Sequence, residues 1–209
     1  MHLVFIGAPG SGKGTQAEKF KSEHGYKHVS TGDLLRLEVS KETSLGLKID
    51  DIISNGSLVD DETVLELFKS NLDMSDFHYI IDGFPRTLNQ CKLLNEHVLD
   101  GHAYRAIYFK VNEDRLVERV VNRRIATGSG RIYNLLTDPP AVDGICDISG
   151  EALIHREDDK EDVVLKRLEV YNKSIEDILK YYSDRGRLVT LDASKPLEVV
   201  YLELSGVII

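Results

Sequence analysis

Residues 7 to 15 read Gly-Ala-Pro-Gly-Ser-Gly-Lys-Gly-Thr, between a short apolar run, Leu3 to Ile6, and a helical pattern from Gly12 to His24. Gly25 follows in the position that a helix C-terminal cap prefers. Glycines in such a turn let backbone N–H groups close around an anion, the helix N-terminus adds its positive dipole, and Lys13 has the reach to meet outer phosphates. A buried strand that feeds such a loop and then a helix belongs in a parallel sheet covered on both faces.

The rest of the chain continues that pattern. Tyr26 to Ser30, Tyr79 to Ile81, Ala106 to Val111 and Leu188 to Leu191 are the further strand candidates. The expected fold class is α/β: a P-loop parallel five-stranded sheet with helices on both faces. Short helical patterns cover Asp33 to Val39 and Lys48 to Ser54, the second closed by Asn55 and Gly56, and Asp60 caps a helix whose first turn holds Asp61 and Glu62. A helix is expected from about Glu113, a long one from about Glu161 to Asp184 with Val164, Leu168, Tyr171, Ile175, Ile178 and Leu179 along one stripe, and a last one after Pro196. Between Thr127 and Asp159 the glycines and prolines multiply, but Ile132, Tyr133, Leu135, Leu136, Val142 and Ile148 supply apolar material for a small β-rich lobe.

Bulk properties exclude several classes of function. The formal net charge of −9 over 209 residues argues against a nucleic-acid partner, since gripping a phosphate backbone needs a basic face. No apolar stretch approaches membrane-spanning length, and the turn to glycine-rich sequence right after Ile6 leaves no room for a signal peptide. Two cysteines, Cys91 and Cys146, make no disulfide framework, so a cytoplasmic protein is expected.

The chemistry is read from the loop and the arginines. A phosphate loop ordinarily carries Ser or Thr directly after its lysine; here that place is Gly14 and Thr15 follows. Magnesium is therefore expected on phosphate oxygens and waters, with no direct protein ligand and with Asp82 in its outer shell. Arg115, Arg119 and Arg123 recur every four residues, as if on one helix face, with Glu113 and Glu118 as nearby compensating charges. Arg36, Arg86, Arg156 and Arg167 stand at motif or insertion boundaries. Planar guanidinium groups offset the repulsion between two phosphorylated substrates and position both. A phosphate acceptor is already a nucleophile at neutral pH, which fits a chain with no convincing general-base motif. A guanine-reading nucleotide switch would need Asn-Lys-x-Asp, a pattern that Asn172, Lys173, Ser174 and Ile175 break at the last place.

Five stretches then resemble the adenylate kinase family, long-lid form, in order along nearly the whole chain: GAPGSGKGT at Gly7, STGDLLR at Ser30, DGFPRT at Asp82, NRR at Asn122 with GRIY at Gly130, and HREDD at His155 leading to KRL at Lys166. The resemblance implies reversible, magnesium-dependent transfer of the terminal phosphoryl group of ATP to AMP by a monomer. Its core would be residues 1–29, 60–121 and 160–209, with a helical AMP-binding insertion at 30–59 and a lid at 122–159. It implies Gly10, Ser11, Gly12, Lys13, Gly14, Thr15, Arg119, Arg123, Ile132, Tyr133 and Lys195 for ATP. For AMP it implies Thr31, Arg36, Ser57, Leu58, Val59, Gly83, Phe84, Pro85, Arg86, Gln90, Arg156 and Arg167. Lys13, Arg86, Arg123, Arg156 and Arg167 would carry the catalysis. The four lid positions that hold zinc in some relatives are here Ala126, Ser129, Cys146 and Ser149, so no structural zinc is expected. Thr31, Gln90 and the long lid favour AMP over UMP or CMP as acceptor, while GTP stays open as a donor.

Overall fold

A computed structural model describes residues 1–74, 77–112 and 115–208. All of β1 (His2–Ile6) is buried. Alternation sends Val4 and Ile6 into one apolar cluster and Leu3 and Phe5 into another, as a strand covered on both faces requires. β3 (Tyr79–Asp82) and β4 (Tyr104–Lys110) flank β1 in parallel, with Leu3 opposite Ile80 and Arg105. β2 (Lys27–Ser30) lies outside β3 and β7 (Leu188–Asp192) outside β4, giving the order β2-β3-β1-β4-β7, parallel throughout. With β1 central, the chain leaves its carboxyl end where the strand order reverses, the place where α/β sheets open a crevice for ligands.

Helices cover both faces. α1 (Lys13–His24) and α8 (Leu197–Ile208) pack Ala17, Phe20, Val200, Tyr201 and Leu204 against Leu3 and Phe5. On the other face Val64 and Phe68 of α4 (Asp61–Lys69), Cys91 and Leu94 of α5 (Leu88–His97) and Ile178 of α7 (Glu161–Ser183) meet Val4 and Ile81. α2 (Thr31–Ser40) and α3 (Ser44–Ser54) both start earlier than their apolar pattern suggests, because Ser30 and Thr43 cap them: Ser30 Oγ accepts from the Asp33 N–H and Thr43 Oγ1 from the Gly46 N–H. The expected cap at Asp60 is present, its carboxylate accepting the Thr63 N–H at 2.9 Å.

Arg115, Arg119 and Arg123 do not share a helix. α6 is only Leu116–Val121, Arg115 precedes it, and Arg123 opens β5 (Arg123–Ile125). The backbone there is claimed by β6 (Ile132–Asn134), with Arg123 opposite Asn134, and by Ile154, which pairs with Ile125. Glu113, named as the start of this helix, lies outside the described residues. Beyond β5 the chain forms a small β lobe, bridged at Val142–Ile145 and Ile145–Ala152, around its own core of Ala126, Tyr133 and Cys146.

Candidate active site

The loop at the end of β1 takes its shape from two glycines in the left-handed region, Gly10 (φ 81°) and Gly12 (φ 90°). A Cβ on Gly10 would stand 2.8 Å from Val120 Cγ2, so α6 approaches too closely for any side chain there. Gly12 offers no side-chain cap to α1, and helix starts of this kind present their first N–H groups to anions. Lys13 folds back over this cradle, donating to the carbonyls of Gly7 at 2.7 Å and Ala8 at 2.9 Å. Burial pulls its ammonium down to about 8, against the pull of Asp82 and with further lowering from Arg86, Arg167 and Arg123.

Two residues from distant elements reach the mouth of the loop. A Cβ on Gly14 would lie 3.7 Å from Ile132 Cδ1 and 4.0 Å from an Asp82 carboxylate oxygen. Asp82, at the end of β3, is buried; burial pushes its carboxyl up, but His28 and Lys13 outweigh that and hold it below the usual carboxylate range. His28, which the sequence did not single out, lies between Asp82 Oδ2 at 3.5 Å and Glu18 Oε1 at 3.0 Å. A charged carboxylate beside a phosphate cradle fits the outer shell of a magnesium–nucleotide complex.

Four of the arginines, Arg36, Arg123, Arg156 and Arg167, converge around two aspartates of the HREDD stretch, for which the sequence suggested no role. Arg156 forks onto Asp158 through Nε and Nη2, and Arg167 Nη1 donates to the Asp158 carbonyl at 2.6 Å and approaches its carboxylate at 3.1 Å. Arg36 Nη1 stands 3.9 Å from the same carboxylate. Arg123 forks onto Asp159, which is fully buried, and Arg167 lies 3.4 Å from it. Burial alone would raise Asp158, yet Arg156 and Arg167 bring it to about 2; burial lowers Arg167 to about 10. For Arg123 the Asp159 carboxylate outweighs burial and raises it. The only sequence signal for this role was the acidic run Glu157-Asp158-Asp159 directly after Arg156.

On the β3 side, Gly83 (φ 78°) turns so tightly that a Cβ would sit 2.5 Å from Thr31 Oγ1 and 3.2 Å from Arg86 Nη2. Arg86 Nε donates to the Gly83 carbonyl at 2.7 Å, and Gln90 Oε1 accepts the Arg86 N–H. Phe84 and Pro85 are buried, Phe84 against Phe68. Ser57 and Leu58 are half-buried and Val59 is buried, just past Gly56, whose Cβ would meet Arg167 Cγ at 3.2 Å.

Not every expected residue turns toward the loop. Strand alternation that aims Ile132 at Gly14 sends Tyr133 the other way, into the lobe core, where its hydroxyl donates to Cys146 Sγ and accepts the Asp147 N–H. Lys195 lies past β7 with its ammonium on Glu203, and Asn134 Nδ2 donates to the Arg119 carbonyl. In the lobe, Ser129 Oγ is 3.4 Å from Cys146 Sγ, while Glu151 accepts from the N–H groups of Gly128 and Ser129 and from Ser149 Oγ. Among the described residues no group of three or more His, Cys, Asp or Glu is placed to hold a metal.

The adenylate kinase family profile matches residues 5–187. The chain is 43% identical over 208 residues to the adenylate kinase of Fervidobacterium nodosum, an alignment covering 96% of this chain and 94% of that protein. Against the adenylate kinase of Thermosipho melanesiensis it is 42% identical, over 100% of this chain and 99% of that one. With the adenylate kinase of Bacillus licheniformis the identity is 40%, over 98% and 96%.

Proposed function

This chain belongs to the adenylate kinase family and is a nucleoside monophosphate kinase, a premise from which we propose how its residues move a phosphoryl group reversibly between ATP and AMP. The observation that carries the reading is the convergence of Arg36, Arg123, Arg156 and Arg167 on one pair of carboxylates, beside a phosphate loop and Arg86. Guanidinium groups that already gather around fixed anionic oxygens are suited to gather around phosphates.

The ATP phosphates lie in the N–H cradle of Gly10 to Thr15 with Lys13 on the outer ones, Arg119 and Ile132 over the nucleotide, the Tyr133 backbone beside it, and Lys195 near the base. Asp82 would stand in the outer shell of a magnesium ion brought in with ATP, which would supply charge neutralisation for the transferring group. AMP lies between Thr31, Arg36, residues 57–59 and Gly83 to Arg86, its base toward Gln90. An AMP phosphate oxygen attacks the terminal phosphorus, the bond from that phosphorus to its bridging oxygen breaks, and the electron pair stays on the departing ADP. No base is needed, because the attacking oxygen is already ionised at neutral pH. Arg123, Arg156 and Arg167 stabilise charge on the equatorial oxygens, each worth about 10²- to 10³-fold in kcat on the scale of other oxyanion donors.

Residues 30–59 act as the acceptor-binding segment and 122–159 as a lid that excludes water, a monomer working in the cytoplasm. No helix among the described residues is long and apolar enough to cross a membrane. The lid is zinc-free, held by the Glu151 bonds and the Tyr133–Cys146 packing; protein purified without added metal should contain well below one zinc per chain, and a stoichiometric ion would overturn this.

The deciding assay incubates the protein with MgATP and each nucleoside monophosphate in turn and follows diphosphates by chromatography. ADP formation with AMP alone, abolished by Lys13→Ala, is the expected result. Preference for UMP or CMP would keep the chemistry but overturn the acceptor assignment. Hydrolysis with no transfer would overturn the mechanism.

A further inference from the structure

Gln90 is 2% exposed, and its side-chain amide is held from both ends. Oε1 accepts the Arg86 backbone N–H at 2.6 Å, Nε2 donates to Asp61 Oδ1 at 2.7 Å, and Asn89 Nδ2 donates to the other Asp61 oxygen at 2.6 Å. The chemistry leaves the amide one orientation. A backbone N–H demands an acceptor and a carboxylate demands a donor, so a turned-over amide would set donor against donor and acceptor against acceptor. Both anchors are themselves fixed at helix starts. Asp61 is the first residue of α4, directly behind the capping Asp60, and the Gln90 N–H donates to the cap of α5, Thr87 Oγ1, at 3.1 Å.

We infer that Asp61 sets acceptor-base specificity, by locking the Gln90 amide in the orientation that matches adenine and mismatches a 6-oxopurine. This rests on the proposed placement of the AMP base against Gln90. After its bonds to Arg86 and Asp61, the amide keeps one Nε2–H and one Oε1 lone pair. Adenine presents an acceptor at N1 and a donor at its 6-amino group, which satisfies both. Hypoxanthine and guanine present a donor at N1 and an acceptor at O6, which opposes like with like at both. Gln90 could suit them only by turning over, at the loss of its bonds to Arg86 and Asp61 together. Leaving one buried polar group unpaired weakens binding by roughly 10- to 100-fold. Asp61 touches neither substrate in this scheme; it is a positioning residue.

Steady-state kinetics with MgATP and either AMP or inosine monophosphate test this in the wild type, Asp61→Ala, Asp61→Asn, Gln90→Ala and the Asp61→Ala/Gln90→Ala double variant. Asp61→Ala should lower the AMP:IMP ratio of kcat/KM about tenfold, through KM for AMP, while KM for ATP stays put. Asp61→Asn, whose carbonyl still accepts from Gln90 Nε2, should hold the ratio within about threefold. The double variant should fall no further than Gln90→Ala alone. If Gln90→Ala collapses the ratio and Asp61→Ala does not, the base reading stands and this inference is overturned. If Gln90→Ala leaves the ratio intact, the base reading falls and the inference with it. Equal losses for both acceptors in both Asp61 variants, with a lowered Tm, would show a purely structural aspartate and also overturn it.

Discussion

Lys13 carries a proton that burial makes easy to lose, at about 8 against 10.5 for an ordinary lysine. Nucleotide phosphates beside the ammonium favour its charged form. ATP binding above pH 8 should therefore take up a proton, visible by calorimetry in buffers of different ionisation enthalpy and missing in Lys13→Met. The same depression has a stability sign. Between about 8 and 10.5 the unfolded chain binds more protons at this site than the folded one, so stability rises with pH across that window, and Lys13→Met should flatten the rise. Arg167 makes a different point. Its Nη1 meets the Asp158 carbonyl and both carboxylates at once, while bidentate contact with a phosphoryl group calls on the planar fork that only a guanidinium offers. Arg167→Lys should keep the charge yet lower kcat by roughly 10²- to 10³-fold, with a thermal melt close to wild type. The arginines were legible because they sit at motif boundaries. Which carboxylates they meet was not, because Asp158 and Asp159 are two acidic residues in a chain that has 35.

At the scale of elements, α3 approaches α2 closely at Gly46. A Cβ on Gly46 would lie 2.6 Å from the Glu38 carbonyl oxygen and 3.3 Å from Val39 Cα, and backbone cannot step aside as a side-chain tip can. Gly46→Ala should gain about 1 kcal/mol of helix propensity but lose more to overpacking, typically 1 to 3 kcal/mol with cases above that range. Differential scanning calorimetry should find Tm lowered by roughly 2 to 4 °C for each kcal/mol of net loss. A Tm at or above wild type would mean that α2 and α3 separate readily. The sequence displayed these helices through their apolar pattern, and the end of the second through Asn55 and Gly56, but the caps Ser30 and Thr43 that start them went unread. It misplaced Arg123, because four-residue spacing matches a helix whether or not the backbone continues as one, and here β6 offered a ladder instead.

For the whole molecule, the β lobe depends on Glu151, which ties residues 128, 129 and 149 together and is drawn to about 2 chiefly by its bond from Ser149 and by the two backbone N–H groups. Glu151→Ala should loosen the lobe without touching the phosphate loop. Under the lid role proposed for 122–159, phosphate released from MgATP in the absence of AMP should rise relative to ADP formed in its presence. An unchanged ratio would separate the lobe from water exclusion. The order of strands is also a property of the whole. Apolar runs announced a parallel sheet, and the glycines announced the tight turn between β1 and α1, because backbone period and glycine dihedrals are local physics that neighbouring residues settle among themselves. That β1 lies central, that Asp158 and Asp159 gather four arginines, and that Asp61 holds Gln90 are pairings of residues 29 or more positions apart in several cases. Such contacts are chosen by packing and by the cost of leaving a buried charge or amide unpaired, which only the folded chain brings into play.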